Sequence, residues 1–142
     1  MKKIISILLL LSISFALNIS ANEASSTSPT DAKVYFIAPL DGETVTQTFS
    51  VKFGLSGMGI APAGTMGDKT GHHHLLINLE TLPDMTKPLA ATDKIVHFGG
   101  GQTETELTLS PGTHTLQLLL GDYAHTPHAK PVLSKQITIT VE

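Results

Sequence analysis

The sequence predicts an all-β fold, a small β-sandwich of about seven strands. Three observations predict it. Short runs rich in β-branched and aromatic residues alternate with Gly and Pro along the chain; two of them, Thr103 to Leu109 and Gln136 to Val141, alternate polar and apolar residues with period two. No stretch beyond the first 21 residues sustains a helical period.

In chain order the runs are 33–38 "KVYFIA", 47–55 "QTFSVKFGL", 72–79 "HHHLLINL", 94–98 "KIVHF", 103–109 "TETELTL", 113–120 "THTLQLLL" and 134–141 "SKQITITV". Before them, Met1-Lys2-Lys3, an apolar run from Ile4 to Leu17 and the small residues ending at Ala21 have the order of a secretory signal peptide. Residues 22–32, "NEASSTSPTDA", are small and polar with Pro29 inside, and read as a flexible tether. One β-sandwich domain is expected over 33–142, in a protein that is periplasmic or secreted once residues 1–21 are removed. The apolar run is too short for a comfortable membrane span, so the protein is not expected to be membrane-embedded.

The chain has no cysteine, which excludes disulfides, thiolate nucleophiles and thiolate metal ligands. All nine basic residues are lysine, and the seven beyond the signal face twelve acidic residues. A net negative chain without arginine has no bidentate fork for phosphate or guanine, so nucleic acid is not an expected partner.

Histidine carries the chemistry. The seven histidines include the triplet of "GHHHLLI" at 71–77, His97 before "FGGGQ", and His125 and His128 in "DYAHTPH". At the start of a strand His72 and His74 share a face, about 6.6 Å apart along the chain, while His73 points the other way, with Leu75 and Ile77. Two imidazoles on one face can close on a metal ion whose nitrogen bonds are near 2.0 Å. His73 reads either as a ligand or as a buried structural residue. Gly99 to Gly101 allow close approach of another segment, and without a following Lys-Ser/Thr they form no phosphate loop. Pro127 stiffens the loop bearing His125 and His128. Met58 and Met66 lie in the long Gly- and Ala-rich connection 56–70 before the triplet, and exported Met/His sets suit copper. His114 follows the Pro111-Gly112 turn and reads as a hydrogen-bonding corner residue outside any site.

The ordered motifs "VYFIAPLDGETV", "VKFGLSGMGIAPAG", "GHHHLLI", "HFGGGQTETEL", "PGTHTLQLLLGD" and "HTPH", across 34–128, closely resemble the small secreted bacterial domain of unknown function family 4399 (DUF4399). That resemblance implies an exported domain and assigns no activity. "LSPGTHTLQLLLGD" is also similar to the strand corner of immunoglobulin-like domains, with His114 where a corner Tyr would stand. In an immunoglobulin-like strand order the connections 56–71, 98–102 and 121–133 share one end, which would gather six of the seven histidines there and leave His114 at the other.

The residues therefore point to an exported His-rich β-sandwich binding a transition metal, copper or zinc, through His72, His73, His74, His97, His125 and His128, with Met58 and Met66. The alternative is a cell-envelope interaction module whose histidine loops form a polar recognition surface for an envelope protein without metal. Catalysis is not expected. The His72-x-His74 pair resembles the copper pair of copper/zinc superoxide dismutases, but their disulfide cysteines are missing; Gly54 to Met58 nearly matches a nucleophile elbow, with no helix expected after it.

Overall fold

The computed structural model describes residues 26–142. The expected signal peptide, 1–21, and the first residues of the tether lie outside the described residues. The fold is all-β, in two sheets. One is antiparallel, with β1 (Lys33–Ala38) and β7 (Glu104–Thr108) flanking β3 (Thr48–Ser56). The other runs β2 (Thr44–Val45), β9 (Ile137–Val141), β8 (Gly112–Gly121), β5 (Thr70–Ile77), β4 (Gly59–Ile60). In that second sheet β6 (Ile95–His97) also pairs with β5.

All seven expected runs contain a strand, and the two-residue β2 and β4 are added between them. β1, β3 and β7 facing β9, β8 and β5 is the immunoglobulin-like arrangement of strands A, B and E against G, F and C. β6 sits beside β5 and does not extend the three-stranded sheet. That pairing brings His97 opposite His74.

Alternation divides each central strand between two cores. Leu75 and Ile77 of β5 and Leu116, Leu118 and Leu120 of β8 face the interior, where they meet Val34, Val51, Phe53 and Ile139. Leu76 and Leu119 face the opposite side of the same sheet. There Leu89 and Ile95, with Leu79, Met85 and Leu133 beside them, form a second, smaller cluster under the connections 78–94 and 122–136. β5 is thus buried on both faces, which is why its apolar run is nearly continuous.

Residues 26–32, read from composition as tether, lie along the 122–130 loop. Ser26 Oγ donates to Asp122 Oδ2 (3.0 Å), Ser28 Oγ to the Lys130 carbonyl (2.7 Å), and Ala129 N to the Ser26 carbonyl (2.9 Å). At the far end His114 Nε2 donates to the Ser110 carbonyl (2.8 Å), since a carbonyl only accepts. Its Nδ1 then accepts from Asn78 Nδ2 (2.9 Å), while Asn78 Oδ1 accepts from Thr115 N (2.9 Å). His114 thereby performs the tie of a corner Tyr. Among the described residues no helix is long and apolar enough to cross a membrane.

Candidate metal centre

His72 and His74 leave β5 on the face away from the interior, the face that carries Leu76 one step further on. The pleat brings their rings to 4.9 Å, centroid to centroid, closer than the strand rise alone. His97, paired with His74 across the β5–β6 ladder, stacks on it at 5.0 Å with an interplanar angle of 20°. His125 closes the group from the loop after β8, its ring 4.4 Å from that of His97 and 5.1 Å from that of His72. One nitrogen from each of the four imidazoles lies within 4.8 Å of the others.

Backbone room makes this crowding feasible. A Cβ at Gly99 would stand 2.5 Å from His97 Cε1, and one at Gly121 would stand 2.7 Å from His74 Cε1. Both positions must stay bare for the rings to lie where they do. The long connection before β5 bridges the two outer ligands: Ala63 N donates to the Gly99 carbonyl (2.8 Å) and Gly64 N to the Tyr123 carbonyl (2.8 Å).

His125 adopts a left-handed backbone conformation, φ 65°. Such a conformation in a residue with a side chain costs on the order of 1 kcal/mol and persists where surroundings enforce it. Asp122 enforces it here. Asp122 Oδ1 accepts from Ala124 N (2.9 Å) and Thr126 N (3.0 Å), its carbonyl accepts from His125 N (2.9 Å), and Leu89 N donates to the His125 carbonyl (2.9 Å). Sequence reasoning passed over Asp122, Gly99 and Gly121 as site residues. An Asp just past the end of an apolar strand and three residues before a His is a turn-forming signal that could have found the first.

The electrostatics favour lone pairs. Burial, then the neighbouring His97 and His125, push His72 down to about 4. Burial, then His72 and His97, push His74 down to about 3. His97 is lowered by burial and by His125. At neutral pH these rings are uncharged, and His72 Nδ1, both nitrogens of His74 and His97 Nε2 are buried without a hydrogen-bond partner. His125 Nδ1 lies 3.1 Å from His72 Nε2, a hydrogen bond between two of the four rings. Orphaned buried polar nitrogens are costly, by about 1–3 kcal/mol each, and a cation is the species that one lone pair from each of four neighbouring imidazoles would satisfy together. The Asp122 carboxylate, which opposes the downward shift of His72, favours positive charge at this point.

The other expected ligands lie elsewhere. His73 points into the interior, its ring 5.1 Å from that of Phe53, with both nitrogens unpartnered. His128 is buried with Nε2 3.2 Å from the Thr70 carbonyl oxygen. Met58 packs against the main core and Met66 is 76% exposed. Pleat alternation turns His73 inward, and the loop backbone carries the others away. Ser56, of the near-match to a nucleophile elbow, ends β3 and is followed by the Gly57 turn into β4, without a helix.

No curated protein matches the chain. Among solved structures, an endo-beta-1,4-mannanase from Thermotoga petrophila is similar over 79% of this chain, at 17% identity and a TM-score of 0.47, and the chain spans 20% of that enzyme. The model of a family described as Domain of unknown function (DUF4399) matches residues 51–142, the part of the chain that supplies all four clustered histidines. The chain belongs to the DUF4399 family.

Proposed function

We propose that the protein is an exported metal-binding protein of the cell envelope, holding one copper or zinc ion between His72, His74, His97 and His125. The observation that carries the reading is four imidazoles converging within 4.8 Å, with four of their nitrogens buried and unpartnered. Imidazole suits Cu(II) and Zn(II) alike, and four nitrogen donors without a carboxylate or thiolate among them disfavour Mg(II) and Ca(II). A set of four protein ligands fills a tetrahedral shell, which fits carriage, buffering or sensing better than catalysis at an open position. Nothing in the pattern offers a nucleophile with an adjacent base.

The same geometry disfavours a metal-free recognition surface, because His72 and His74 are fully buried and present nothing to a partner. Isothermal titration of untagged protein with Zn(II) and Cu(II) tests the proposal. One equivalent is expected to bind tightly to the wild type and to lose at least about a hundredfold in affinity in His125→Ala, more than is lost on removing a supporting partner. Equal affinity in that variant would take His125 out of the site.

A further inference from the structure

The four-imidazole cluster leaves four of the chain's candidate ligands unused, and two of these, His128 and Met66, share a groove. His128 and Met66 line one groove, of about 470 Å³, whose other walls include Asp68, Thr70 and Tyr123. His128 is 1% exposed, and its Nε2 lies 3.2 Å from the Thr70 carbonyl oxygen. Because that carbonyl can only accept, Nε2 carries the proton and Nδ1 the lone pair. Nδ1 is buried and has no hydrogen-bond partner. An imidazole with one N–H anchored on a backbone carbonyl and the other nitrogen bare is the form in which histidine ligates metals.

Met66 supplies the second donor. It is 76% exposed where a structural methionine would be packed, and its three rotatable bonds let the thioether sweep the groove. The chemistry of the pair is soft. Among the described residues, the four-imidazole cluster is the one group of three or more imidazoles and carboxylates close enough to share an ion. The groove therefore does not add a carboxylate cage to His128; Asp68 and Lys69 on its wall carry opposite charges. We propose that this groove is a second metal site, binding Cu(I) between His128 Nδ1 and the Met66 thioether. Thioether with imidazole selects a soft monovalent ion over Zn(II) or Mg(II).

The test uses the untagged protein with its methionine methyl groups isotopically labelled, titrated with Ag(I) as a redox-inert stand-in for Cu(I) and followed by NMR. The Met66 methyl resonance should move and saturate with Ag(I), while those of Met58 and Met85, packed against the cores, stay in place. His128→Gln should weaken the Ag(I) dependence of that resonance about tenfold or more. Met66→Leu, at an exposed position that cannot compromise folding, should reduce the number of bound Ag(I) ions by one. A Met66 resonance that ignores Ag(I), one that responds equally in His128→Gln, or an undiminished Ag(I) count in Met66→Leu would overturn the proposal. The readout is local to Met66, so its failure leaves the four-imidazole reading standing, and failure of that reading leaves this one standing.

Discussion

At the scale of single residues, burial sets the protonation of the histidines and so the behaviour of the protein in acid. His73, inside the sandwich against Phe53, is held down to about 4 by burial, and His72 and His74 are depressed beside it. In the unfolded chain each would take its proton near the ordinary value of about 6.5. The folded state therefore binds fewer protons than the unfolded one between those values. The stability these groups contribute is complete above about pH 6.5 and is lost as pH falls toward 4. For His73 alone the difference is on the order of 3 kcal/mol. His73→Leu, an apolar residue of similar size, should raise the melting temperature at pH 5 more than at pH 7.5; equal shifts at both pH values would show that His73 is not the acid-sensitive group. Metal affinity follows the same values. Unperturbed histidines would lose a metal between about pH 7 and pH 5. With His72 and His74 already neutral there and His97 lowered as well, Zn(II) affinity should hold further into acid than that of a site built from unperturbed histidines. A titration showing a steep loss above pH 6 would contradict the depressed values.

At the scale of elements, β5 places two ligands by its pleat, the β5–β6 ladder adds His97, and the loop after β8 adds His125. The first step was legible in the sequence, because "HHH" ahead of an apolar run fixes His72 and His74 on one face and His73 on the other. The common end of the connections was legible too, from an immunoglobulin-like order. The site lies on the outer face of the six-stranded sheet, the face that also carries the second apolar cluster, and alternation alone could not say so: a strand buried on both faces hides which side is the interior. Nor could it assign His97 to β5, since a short fourth strand can join either sheet. Met66 and His128 illustrate the same limit, as loop residues whose direction is set by backbone turns that composition does not specify. The two glycines give an element-scale prediction. In Gly99→Ala the added methyl meets the His97 ring 2.5 Å away, and the ring can escape only by swinging. Metal affinity should fall about tenfold or more with a small change in melting temperature. Unchanged affinity would mean that the His97 ring is free to sit elsewhere. Asp122→Asn, which weakens the turn holding His125, should cost about 10–100-fold in affinity.

For the whole molecule, the sandwich separates two tasks between its ends. His114, tied to Ser110 and Asn78 at one end, fixes a corner, and the imidazole cluster occupies the other. His114→Ala should lower thermal stability by roughly 1 kcal/mol, the usual worth of a hydrogen bond, since of its partners Ser110 is exposed and Asn78 only half-buried, and leave metal affinity unchanged. Metal should act on the fold globally as well, since an ion that binds only the folded state stabilises it by about 2.7 kcal/mol at a hundredfold excess over its dissociation constant. Loaded protein should accordingly melt higher, and chelation should reverse the gain. The most direct measurement of the central claim is X-ray absorption of the untagged protein after loading with one equivalent of Zn(II) and removal of excess metal. The account predicts retained, stoichiometric zinc with a shell of four nitrogens near 2.0 Å and the outer-shell scattering of imidazole rings. Zinc lost on desalting, or held by a shell of oxygens, would contradict it.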